Sequence, residues 1–145
     1  MVEMMTLAQI DETLPNGFHD AEIERLDWNF QTNSAVLDID FWVAIEEEDR
    51  EKRRRGRIEL QGIIFLSVGL PEPSELDPKP YHPSGTLQID GMLASEEILP
   101  NLPKLLPYLP SGIEIFSFYV VNWNSFIHIA AAEAMLGWPD VQPVA

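Results

Sequence analysis

The stretch that most limits what this chain can become is "AVLDIDFWV", residues 35–43, where Ala35, Leu37, Ile39, Phe41 and Val43 recur at every second position. A period of two places all five on one face of a β-strand, whereas a helix would scatter them around its axis. The preceding run, residues 21–30, alternates as well. Its apolar set is Ala21 and Ile23, then Leu26, Trp28 and Phe30, so the parity changes once. A strand keeps its inward face only at a strict period of two, and the slip predicts a β-bulge near Glu24-Arg25. "QTNS" separates the two runs, with Asn33 suited to a left-handed turn position, and the whole reads as an antiparallel hairpin.

The same pattern continues downstream. "RIELQGIIFLSVGL", residues 57–70, puts Ile58, Leu60, Ile64, Leu66 and Val68 on one face, with Gly62 as the place to bend. Past Gly62 the second face is apolar too, which predicts cover on both sides. "TLQID" (86–90), "GIEIFSFYVV" (112–121) and "SFIHIAA" (125–131) are further strands, the last two joined by "NWNS". "PEPSELDPKPYHPSG" (71–85) holds five prolines and is a surface excursion, and "LPNLPKLLPYLP" (99–110) is a stiff apolar segment whose leucines are expected to be buried. "AEAMLGWPD" is expected to close with a helical turn. Hairpin-linked strands pair antiparallel. The expected fold is therefore mainly β, with little helix. A single twisted antiparallel sheet over residues 1–145, one domain, curls into a sandwich or a partly open barrel.

Charge is unevenly spread. Residues 46–57, "EEEDREKRRRGR", contain five of the 24 acids and six of the nine bases, which leaves nineteen acids facing Arg25, Lys79 and Lys104 elsewhere. Such a surface, with a net charge of −15, repels phosphates and anionic membranes, and either attracts a basic protein partner or simply keeps the chain soluble. The run 46–55 has no apolar face and is expected to be a solvated loop. Its arginines lack the interleaved aromatics that stack bases, so nucleic acid is not an expected partner. The amino-terminal segment has no basic residue ahead of its apolar patch, unlike a signal peptide, and no apolar run approaches the roughly 18 residues of a membrane span. Cytoplasmic localisation is the resulting expectation. The absence of cysteine excludes thiolate metal sites and thiol nucleophiles.

Chemistry-bearing residues are few. His19 and Asp20 stand side by side where the first strand begins, and His128 lies among apolar neighbours. These three are the candidates for a divalent-metal or acid–base site, that of a small-molecule-binding protein or metal-dependent enzyme, in a sheet pocket, on condition that they converge. On a strand already begun, His19 and Asp20 would point to opposite faces and would not share a metal. The simpler role for the pair is to hydrogen-bond backbone where the loop enters the sheet. His82 is expected to be exposed. Asp38 and Asp40 share a strand face, as solvated carboxylates or a calcium site. Trp123, with Asn124 beside it, sits in the last turn, either folded back on the sheet or anchoring a partner. No phosphate loop or nucleophile elbow is present, and no cofactor or resident metal is implied. An uncapped sheet edge would permit a homodimer.

"GFHDA" (17–21) and "WNSFIHIAA" (123–131) resemble segments found at the two ends of small bacterial β-rich proteins of unknown function. The chain is also loosely similar to the β-rich immunity proteins that accompany secreted bacterial toxins. The resemblance implies a bacterial cytosolic protein with a protein-binding role and supplies no catalytic residue.

Overall fold

The computed structural model describes residues 4–43, 52–73, 75 and 85–139. The described strands form one sheet: β1 (Met4–Met5), β2 (Ala21–Asn29), β3 (Ser34–Trp42), β4 (Arg53–Val68), β5 (Leu87–Leu93), β6 (Ile115–Val120) and β7 (Ser125–Gly137). Their order is β1-β7-β4-β3-β2-β5-β6, every pairing is antiparallel, and β6 pairs back onto β7. Six strands thus close into a barrel, and β1 adds a short ladder to β7 at Ala134 and Met135. Closure decides between the two expected forms of the sheet.

The β2–β3 hairpin forms as its alternation predicts. Ala35, Leu37, Ile39 and Phe41 all point inward and are buried. Between Ile23 and Arg25 the register shifts, leaving Glu24 unopposed at the point where the apolar parity changes. Asn33 takes the left-handed conformation (φ 51°) in the turn. Phe30, which continues the apolar pattern of β2, lies instead in the exposed tip.

Strand β4 departs from expectation at both ends. It begins at Arg53, so Arg53–Arg55 belong to a strand rather than to the charged loop, whose residues 44–51 lie outside the described residues. Beyond Gly62 the inner face changes hands. Ile58 and Leu60 are buried before it and Ile63 after it, while Ile64 is 39% exposed. The change of face sets in at Gly62, since Ile63 is already buried, and the register with β7 slips after it, between Ile63 and Phe65. The end of the strand is not covered on both sides, since Ser67 and Val68 are exposed. Gly62 itself has φ +63°, and a Cβ there would stand 2.9 Å from the Cβ of Ala132.

Two other expectations are corrected. "AEAMLG" is not a helical turn but the second half of β7, held by β4 on one edge and β1 on the other. Pairing along both edges outweighs the helical preference of its alanines. The 99–110 segment folds as a four-residue helix, α2 (Leu102–Leu105), followed by a 3-10 turn over Leu106–Tyr108. None of its leucines is fully buried, and Leu106 and Tyr108 are exposed.

One short helix was not expected. Helix α1 (Leu7–Thr13) starts at a reciprocal capping box: the Gln9 amide donates to Thr6 Oγ1, and the Thr6 amide donates to Gln9 Oε1. Its buried face, Leu7 and Ile10, continues through Leu14 to Phe18 and joins the barrel core. Phe18 is fully buried with its ring 4.9 Å from that of Phe118, 5.5 Å from Phe116 and 5.8 Å from Phe41. The amino-terminal segment is thus part of the core.

Phe18→Ala should remove that ring cluster and cost about 3–5 kcal/mol in chemical denaturation. Gly62→Ala should cost more than about 1 kcal/mol, because alanine resists positive φ. Gly137→Ala, whose Cβ would meet nothing within 4 Å, should stay within about 0.5 kcal/mol of wild type. Equal losses at the two glycines would contradict the bend at Gly62.

Candidate functional site

The loop between α1 and β2 sets the geometry of the "FHD" stretch. The Phe18 amide donates to Asp11 Oδ1 (2.8 Å), and Gly17 sits at φ +55°, where a side chain would be strained and would collide with the Asp11 carboxylate. Burial raises the Asp11 pKa, the Phe18 amide opposes that rise, and neighbouring Glu12 adds to it. A tight turn follows, closed by the Ala21 amide on the Phe18 carbonyl, with Asp20 at φ 57°. Strand β2 starts only after this turn. The rule that neighbouring strand residues diverge therefore does not apply, and His19 and Asp20 converge.

They converge on a residue that is distant in sequence. His19 Nδ1 lies 2.7 Å from Asp90 Oδ1 on β5, and His19 Nε2 lies 3.3 Å from Asp20 Oδ2. Gln88 Nε2 donates to Asp20 Oδ1 (2.8 Å), and Arg53 donates to the Asp20 carbonyl (3.0 Å). One ligand-capable atom from each of His19, Asp20 and Asp90 falls within 4.8 Å of the others. One imidazole and two carboxylates suit a divalent cation of the manganese or zinc kind with open coordination positions. The cluster opens onto a shallow cleft bordered by Asp11, Asn16, Gly17 and Gly91.

His128 is not part of this group. It lies on the outward face of β7, buried, with Nδ1 2.7 Å from Ser117 Oγ across the β6–β7 ladder and its ring stacked on Phe126. Ser117 is fully buried, so the pair has no open side from which a substrate could reach the hydroxyl. Burial lowers the His128 pKa. Trp123 packs half-buried against the core, and its carbonyl accepts from the Glu72 amide (2.8 Å). Asn124 holds the left-handed position of that turn, and its Oδ1 accepts from Tyr119 (2.9 Å). Both residues serve the last hairpin. His82 lies outside the described residues.

The arginine-rich stretch takes a role that its linear pattern conceals. As alternate residues of β4, Arg53, Arg55 and Arg57 stand opposite Trp42, Asp40 and Asp38 of β3. Arg57 Nε donates to Asp38 Oδ1 (2.8 Å), and Arg55 Nε reaches over β3 to Glu24 Oε1 (2.8 Å). These partners raise both guanidinium pKa values. Arg25 pairs with Asp27. Asp38 and Asp40, considered above for calcium, face guanidinium groups. The Asp40 pKa is raised, first by burial, with Arg53 and Arg55 opposing and Glu24 and Glu22 adding.

Local sequence signals could find His19 and Asp20 but not Asp90 or Gln88, which join them only through the antiparallel pairing of β2 with β5. No protein family, curated protein or solved structure matches the chain.

The lowered His128 pKa fixes the sign of a pH effect. The unfolded chain binds this proton more readily than the folded one, so the stability held above the unfolded value near 6.5 declines as pH falls through the folded value. His128→Gln, which can still hydrogen-bond Ser117 but does not titrate, should flatten the stability–pH curve just below neutrality. Identical slopes for variant and wild type in urea melts would contradict this assignment.

Proposed function

We propose that this chain is a protein-interaction domain, immunity-like in kind, that works in the bacterial cytoplasm and engages a basic partner through its acidic surface. The observation that carries the reading is the fate of the arginines. Arg25 of β2 and Arg55 and Arg57 of the cation-rich stretch are occupied by carboxylates of β2 and β3, so these three bases are spent on near neighbours and not on the rest of the nineteen acids outside residues 46–57. Paired charges of this kind stabilise little when exposed, but they do cancel local field. Complementary charge speeds encounter and selects partners, while apolar contacts supply the holding energy. Phe30, Leu70 and Tyr108 are exposed on the described surface and can supply such contacts.

Immobilised protein should retain a basic protein from bacterial lysate at low salt and release it progressively as salt rises. Retention of no protein at low salt, or retention indifferent to salt, would overturn the reading.

A second reading rests on the convergence of His19, Asp20 and Asp90, which favours a divalent-cation site and, with the adjoining cleft, a small-ligand or metal-dependent activity. Cobalt(II) added to the protein should give one equivalent of visible absorption, lost in Asp90→Asn and in His19→Ala. Unchanged spectra in wild type would remove this alternative without touching the first.

A further inference from the structure

Strand β4 is longer than the neighbour on one of its edges. Along the other edge it pairs with β7 as far as Val68↔Ile127, and the Gly69 amide still donates to the Phe126 carbonyl (2.9 Å). On the β3 side the ladder stops at Ser34↔Gln61. Asn33 then covers one further residue, its carbonyl accepting from the Ile63 amide (3.3 Å) and its Nδ2 donating to the Ile63 carbonyl (2.7 Å). Past that point β4 has no partner on this edge among the described residues. In an antiparallel ladder, successive residues turn their amide and carbonyl groups to opposite edges. With Gly69 bonded toward β7, Ser67 bonds toward β7 as well, and Leu66 and Val68 present theirs to the open side.

Among the described residues this edge lacks the usual protection. Open edges are commonly guarded by charge, proline or a bulge that twists the strand away. The corresponding open edge of β2 has Arg25, Asp27 and the bulge at Glu24. Residues 63–70, "IIFLSVGL", have no charge and no proline, and their one bulge lies at the start. Ile64, Val68 and Leu70 are 39%, 45% and 83% exposed, and the hairpin tip tied to Ile63 carries Phe30, 76% exposed. Acids follow directly, with Glu72 and Glu75 both exposed.

We infer that the open edge of β4 over Leu66–Val68 is the docking site of the basic partner, taken up as an added antiparallel strand whose apolar residues meet Ile64, Val68 and Leu70 and whose lysines or arginines face Glu72 and Glu75. Strand addition derives affinity from main-chain hydrogen bonds and specificity from alternate side chains. A second copy of this chain fits the edge less well, because it brings a further −15 of charge to the contact. The inference rests on the interaction reading above and locates its contact.

The test uses a fluorescein-labelled eight-residue peptide of alternating valine and lysine, a form N-methylated at alternate residues, and an alternating valine–glutamate form. Binding is followed by anisotropy, and the site by backbone amide shifts. The unmodified basic peptide should bind and shift Leu66 and Val68. N-methylation, which removes amide donors but keeps every charge, should weaken binding about tenfold or more. Ile64→Lys should weaken it similarly, and the glutamate peptide should not bind. Equal affinity of methylated and unmethylated peptides, or shifts confined to the acidic surface, would overturn the edge and leave a purely charge-driven interaction standing. No binding of the basic peptide would overturn the edge too, with salt-dependent retention from lysate still deciding the broader reading. Shifts at Leu66 and Val68 that grow with protein concentration alone would assign the edge to a second copy and overturn the proposal.

Discussion

Closure of the barrel rests on β7, because one strand must hold two partners at once for a six-stranded sheet to meet itself. Its thirteen residues pair with β4 along one edge and with β6, then β1, along the other. Both faces carry buried residues. Ile127 and Ile129 point into the core, and His128 and Ala130 are buried on the outer side. Buried positions on both faces and hydrogen bonds on both edges are the usual marks of a central strand. Everything else follows from that placement. The β4 strand has to run past the tip of the β2–β3 hairpin to follow β7, which needs the bend at Gly62 and leaves its far end with one neighbour among the described residues.

The same closure arranges the charge. A run that is cationic when read along the chain becomes alternating when threaded through a strand, and only every second arginine faces the carboxylates of β3 and β2. Pairing across strands ties Arg55 and Arg57 of the apparent basic patch to carboxylates, and the excess of acid lies elsewhere in the chain. Surface pairs of this type add little to stability. Their consequence lies in the field the molecule presents to others.

Legibility in the sequence followed the range of the interactions. The β2–β3 hairpin, the slip at Glu24 and the turn at Asn33 depend on residues within about twenty positions of one another, and alternation revealed all three. The strand identity of Arg53–Arg55 is hidden because it depends on pairing with Asp40, Phe41 and Trp42 of β3, and that of "AEAMLG" because it depends on β4 and on Met4–Met5. Helix α1 had a local signal, the Thr6–Gln9 capping box, that strand-based reading passed over. The candidate site divides the same way. His19 and Asp20 were visible as a pair, but their convergence needs the left-handed turn at Asp20 and a carboxylate seventy residues downstream. His128 offers the same residue type among apolar neighbours, and in the structure it is a buried histidine hydrogen-bonded to Ser117.

Architecture and interaction thus meet in one claim: β7 closes the barrel on both of its edges, and among the described residues β4 is left half open beyond Ile63. Residue-resolved amide hydrogen exchange on the free protein tests it most directly, since bonded amides exchange slowly and open ones fast. The account predicts unbroken protection over Ile127–Ala130, whose amides alternate between β6 and β4. It predicts a slow Ser67 between fast Leu66 and Val68. Alternating protection in β7, or unbroken protection through Leu66–Val68, would contradict it.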